Sequence, residues 1–112
     1  MTPEGRVKKA IKQWLDARGY WRAGDARPKD GVRGWYYMPQ NMGMGVSGIP
    51  DFVGSGLRGG QPFPWAIEAK APGGKPTPQQ LDRHNEMRAA GWLVLVVDDV
   101  SQLAALETYA RE

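Results

Sequence analysis

A chain of 112 residues, 41% hydrophobic and 24% charged, is long enough to bury one core and too short for two, so residues 1–112 read as a single domain. The absence of cysteine excludes disulfides and thiolate metal sites, and no apolar run approaches membrane-spanning length. A formal charge of +3 favours a polyanionic partner, and the opening MTPEGRVKKA lacks the apolar core of a signal peptide, which suits the cytoplasm.

The first element is a helix. Thr2 can cap it and Pro3 fits its first position. Val7, Ala10, Ile11, Trp14 and Leu15 recur at helical spacing as one apolar stripe, and Gly19 stops the run. The other face carries Arg6, Lys8, Lys9, Lys12 and Arg18, which serve equally as a solvated face or as a track for a phosphate backbone. Glu4, in the first turn, complements the helix dipole.

Residues 20–50 carry the weakest pattern. Trp35-Tyr36-Tyr37 reads as a short strand between two stretches, Arg22–Arg33 and Gln40–Gly48, rich in glycine and charge. The glycines of NMGMGVSG would let backbone amides approach a ligand, or simply form a mobile surface loop, with Met38, Met42 and Met44 packed beneath it.

Next come two strands, Asp51–Val53 and Trp65–Lys70, joined by a turn centred on Gly59-Gly60. That centre sets Asp51 opposite Glu68, with Cβ atoms roughly 5 Å apart. Alternation puts Lys70 on the face of Glu68 and turns Ala69 away. Pro62 and Pro64 predict a loop longer than the two glycines, because proline cannot complete a strand ladder. Two acids and a lysine on one face of an apolar hairpin are costly unless paired. A divalent cation bridging Asp51 and Glu68 would satisfy both, and hard oxygen ligands suit Mg²⁺ or Mn²⁺. Lys70 could then hold a water or an anionic oxygen, completing equipment for phosphodiester hydrolysis. An ion pair of Lys70 with either acid accounts for the same residues without any catalysis.

Beyond Lys70, the run Ala-Pro-Gly-Gly-Lys-Pro breaks the strand. Thr77 and Gln80 then stand in capping-box relation, with Pro78 between them, and open a helix running to about Ala90. Its apolar periodicity is weak, and His84 reads as a lone exposed or half-buried histidine. Gly91 ends it. The six apolar residues Trp92–Val97 predict a strand covered on both faces and parallel to 65–70 in a βαβ unit. A last helix, capped by Asp98 or Asp99, turns Leu103, Leu106 and Ala110 inward. The fold class is α/β, ordered α-β-β-β-α-β-α: a small mixed sheet flanked by helices.

Pro50-Asp51 followed by Glu68-Ala69-Lys70, behind a helix bearing Glu4, resembles the PD-(D/E)xK nuclease superfamily with its restriction-endonuclease-like core. Thr77-Pro78-Gln79-Gln80 narrows the resemblance to the VRR-Nuc family of virus-type replication and repair nucleases, over nearly the whole chain apart from residues 20–47. The resemblance implies a metal-dependent DNA endonuclease with catalytic residues Glu4, Asp51, Glu68, Lys70 and Gln80. It implies Mg²⁺ or Mn²⁺ bound by Asp51, Glu68 and the carbonyl of Ala69. It also implies a homodimer acting on branched DNA such as the four-way junction, and a phage-type member at work in a bacterial or phage-infected cell. Arg6, Lys9 and Lys75 are candidate DNA contacts. Two other classes fit parts of the sequence. A non-catalytic DNA-binding module needs the basic helix but neither acid, and a Schiff-base enzyme would use Lys70 while leaving both acids unexplained.

Overall fold

The computed structural model describes residues 1–40 and 45–112. Helix α1 (Pro3–Ala17) opens with the Thr2 hydroxyl accepting the Gly5 N–H at 3.0 Å. It buries Val7, Ile11 and Leu15 and hands over to Gly19 at φ +86°. Strands β1 (Tyr20–Arg22), β2 (Gly34–Tyr37), β3 (Phe52–Arg58) and β4 (Gln61–Ala69) follow, then α2 (Pro78–Ala89) and β5 (Leu93–Val97). The chain ends in a 3-10 turn (Val100–Leu103) that leads into α3 (Ala104–Arg111). The five strands lie side by side in sequence order. The pairs β1/β2 and β4/β5 are parallel, and β2/β3 and β3/β4 antiparallel. The class is the mixed α/β one predicted, with one strand more than expected: β1, whose three residues run alongside β2 from Tyr20↔Gly34 to Arg22↔Tyr36.

The β3–β4 hairpin has the expected register, Phe52 opposite Ile67, but its loop is shorter than the prolines suggested. Pairing continues to Arg58↔Gln61, and Gly59 and Gly60 alone make the turn, at φ +58° and +79°. Positive φ at both positions matches the twist of a hairpin, and only glycine adopts it without strain. The prolines fit because a two-residue turn closes on a hydrogen-bonded pair. Leu57↔Pro62 and Ser55↔Pro64 therefore fall at positions where the strands exchange no hydrogen bonds. On the other side of β4, pairing to β5 starts only at Trp65↔Leu93, so no donor is missed there either.

Alternation gives the sheet two unlike faces. Tyr36, Phe52, Phe63, Trp65, Ile67 and Ala69 point into the core with α1 and α3. Tyr36 and Trp65 can approach there because Gly54 lies between them; a Cβ on it would stand 2.9 Å from the indole. The opposite face carries Glu68 and is covered by α2 at its β4–β5 end. Strand β5 is covered on both faces, as its six apolar residues implied, with Val94 buried on the α2 side and Val97 on the core side. It is an edge strand, so Leu93, Leu95 and Val96 remain half-exposed. Asp99 caps the 3-10 turn by accepting the Ser101 N–H at 2.9 Å, and Leu103 and Leu106 are buried as predicted, Ala110 only in part. Met38 packs against the core; Met42 and Met44 lie outside the described residues.

Candidate active site

The site grows from the open end of the hairpin. The register carried one step past Phe52↔Ile67 puts Asp51 across from Glu68, and one step further puts Pro50 across from Ala69. Pro50 has no N–H, so it offers the Ala69 carbonyl no ladder bond. The Ala69 N–H is taken by a side chain, donating to Asp51 Oδ2 at 2.8 Å. Strand β4 is fixed on its other side, where the Lys70 N–H donates to the Val97 carbonyl at 2.9 Å. The strand that carries Glu68 and Lys70 is thus held from both sides at the point where the chemistry-bearing residues project.

Glu68 is 2% exposed. Burial is the main reason its carboxyl is pushed up to about 9; a hydrogen bond with Asp51 and that residue's charge add to this, Lys70 opposes it, and Glu4 contributes weakly. The fold therefore favours the protonated form of Glu68, hydrogen-bonded to Asp51. Lys70, 9% exposed, acts through its charge on both Glu68 and His84. His84 is fully buried on α2, and its Nε2 lies 3.2 Å from Glu68 Oε1. Burial is the main cause that lowers the imidazole below its ordinary value, with the charges of Arg88 and Lys70 adding to it. The other ring nitrogen, Nδ1, is buried without a hydrogen-bond partner among the described residues.

A cleft of about 390 Å³ opens over the acids, lined among others by Lys8, Gln40, Gly48, Asp51, Glu68 and Gln80. Lys8 Nζ stands 3.3 Å from Asp51 Oδ1. Gln80 completes the capping box: its Oε1 accepts the Thr77 N–H at 2.9 Å, and its own N–H donates to the Thr77 hydroxyl at 3.2 Å. Gly48, at φ +85°, presses the loop against this turn, where a Cβ would meet the Gln79 carbonyl oxygen at 2.4 Å. Among the described residues no three His, Cys, Asp or Glu side chains converge to hold a metal. The possible donors are two carboxylates and the oxygen of Ala69.

A solved structure described as a VRR_NUC domain superposes on this one with a TM-score of 0.67 and 30% sequence identity, over 97% of this chain and 98% of the other. The chain belongs to the VRR_NUC family. No family model and no curated protein matches the sequence itself.

In this VRR_NUC domain the residues singled out from sequence divide into two groups. Asp51, Glu68 and Gln80 line one cleft, with Glu4 and Lys70 close enough for their charges to act on Glu68. Arg6, Lys9 and Lys75 are exposed and line no part of it. Two residues were missed. Lys8 is the member of the basic helix that reaches Asp51, and its signal was its position one turn after Glu4. His84 is fully buried rather than exposed or half-buried as expected, because α2 turns a polar residue, not an apolar stripe, toward the sheet.

Proposed function

We propose that this VRR_NUC domain is a divalent-metal-dependent DNA endonuclease that hydrolyses phosphodiester bonds in branched DNA, the four-way junction foremost, as a homodimer. The observation that carries the reading is geometric: the hairpin register sets Asp51 across from Glu68, and both carboxyls line one cleft. Two carboxyls so placed avoid repulsion by sharing a cation or a proton. Asp51, Glu68 and the Ala69 carbonyl form an all-oxygen donor set, which suits Mg²⁺ or Mn²⁺ rather than a softer metal.

A divalent ion held there supplies a Lewis acid and an acidified water. The chain's own residues do the rest. Lys70 orients the attacking water or offsets charge on a non-bridging phosphate oxygen as the water–phosphorus bond forms and the bond to the leaving sugar oxygen breaks. Lys8, at the mouth of the cleft, draws the phosphate in. Glu4 adds negative charge to the cation side, and Gln80 presents a neutral amide to the same space. A homodimer is supported by Trp35, Tyr37 and Leu57, which are 45%, 48% and 47% exposed on one sheet face. Two copies would set two sites on a symmetric junction.

The test is cleavage of matched duplex, flap, bubble and four-way-junction DNA by the purified protein in Mg²⁺, in Mn²⁺ and in EDTA. Cleavage that needs the metal and favours the branched substrates is expected. Binding to DNA without cleavage under any condition would leave only a DNA-binding module. Light scattering should give twice 12.4 kDa, and a monomer mass with and without DNA would overturn the dimer.

A further inference from the structure

His84 is a buried ionisable group for which the reaction just described has no use. It is 0% exposed and lines no part of the cleft, so it cannot touch DNA or the attacking water. Its one polar contact among the described residues is Nε2 to Glu68 Oε1, 3.2 Å. A neutral imidazole has a single N–H, and where it sits follows from the other nitrogen. Nδ1 is buried without a partner among the described residues. An unpartnered N–H in the interior costs more than an unpartnered lone pair, so the proton belongs on Nε2, pointed at the carboxyl.

We propose that His84 is the positioning residue of Glu68: its Nε2–H holds Oε1 in place and leaves Oε2 free to ligate a divalent ion together with Asp51. The inference rests on the nuclease reading and deepens it. A carboxylate on a strand can turn about its last torsion, and a metal ligand that turns freely loses affinity. Lys70 and Asp51 act on Glu68 from the sheet and from β3, while His84 grips it from the helix above. Substrate affinity is not expected to depend on the contact; metal affinity is.

The experiment compares wild type, His84→Gln and His84→Asn. The amide nitrogen of glutamine reaches the place of Nε2, whereas that of asparagine stops near Nδ1 and cannot reach Glu68. Mn²⁺ binding is read without DNA from the electron paramagnetic resonance signal of the free ion, and folding from circular dichroism. His84→Asn should bind Mn²⁺ at least about tenfold more weakly, the usual scale for loss of an outer hydrogen bond to a metal ligand. His84→Gln should stay within about threefold of wild type, and excess Mn²⁺ should restore cleavage to the Asn variant. A folded His84→Asn that binds like wild type overturns the proposal, as does a folded His84→Gln that loses tenfold; the second result decides even if the Asn variant does not fold. A wild-type chain that binds no Mn²⁺ overturns the nuclease reading as well, which separates the two failures.

Discussion

The backbone N–H of Ala69 donates to Oδ2 of Asp51 at 2.8 Å, so one carboxylate oxygen is committed to the strand that carries its partner acid. Asparagine can keep that bond through its own carbonyl oxygen while giving up the charge. Asp51→Asn should therefore fold, and in EDTA it should melt at or above wild type, because the charge that makes Glu68 take up a proton is gone and the half-exposed pair with Lys8 is worth at most about 1 kcal/mol. Cleavage should fall on the order of a thousandfold, since losing the metal removes several kcal/mol of transition-state stabilisation. Rates and melting curves measured side by side check both halves. A variant that cuts at the wild-type rate would remove Asp51 from the site.

The raised carboxyl of Glu68 makes stability depend on pH in a fixed direction. Its ordinary value is 4.5 and its value in the fold about 9. The fold favours the protonated form, so this contribution is complete below the ordinary value and is lost as pH rises through that window. In EDTA the melting temperature should fall between pH 5 and pH 9 in wild type, and the fall should flatten in Glu68→Gln. Adding Mn²⁺ should displace the proton and reverse the wild-type trend. Equal slopes in the two proteins would show that Glu68 does not titrate in that range.

Gln80 serves the helix with its side-chain oxygen and also lines the cleft. Glutamate makes the same cap, so Gln80→Glu changes the chemistry alone. It should melt near wild type and cleave much more slowly, because a third carboxylate competes for the metal and for Lys70. Gln80→Ala should lose about 1 kcal/mol of stability with the cap. Full activity in Gln80→Glu would reduce this residue to a helix cap.

Gly48 and Gly45 separate backbone strain from lack of room. Both have positive φ, +85° and +105°, but a Cβ on Gly45 meets nothing within 4 Å among the described residues, while one on Gly48 runs into the Gln79 carbonyl. Gly45→Ala should cost about 1 kcal/mol, the lower end for a strained residue, and Gly48→Ala clearly more. Only the latter should also slow cleavage, by pushing the loop away from the turn that carries Gln80. Urea midpoints and rates for the pair give the comparison, and matching losses would argue against the contact.

The parts of the site that could be read from sequence are those built by local rules. The centre of a two-glycine turn set the facing of Asp51 and Glu68, and Thr77-x-x-Gln80 set the start of α2. What escaped depends on contacts between distant segments. Tyr20–Arg22 is too short to show alternation and becomes a strand only because β2 lies beside it. His84 gives no periodic signal, since its partner is a carboxyl 16 residues earlier, on strand β4. The prolines of β4 misled because their cost depends on which way each nitrogen points, and composition does not record that.

The turn at Gly59-Gly60 offers a place to mount a probe. It lies at the far end of strands that run eight residues from Asp51, roughly 25 Å away in extended chain, and a Cβ on either glycine meets nothing within 4 Å. A fluorophore attached there, or a few inserted residues, would lengthen a connection whose closure cost grows only slowly with length. The facing of Asp51 and Glu68 would survive, because seven paired positions below the turn hold the register. Energy transfer from such a label to labelled DNA would then report how the domain sits on a bound duplex or branch without disturbing Asp51 and Glu68.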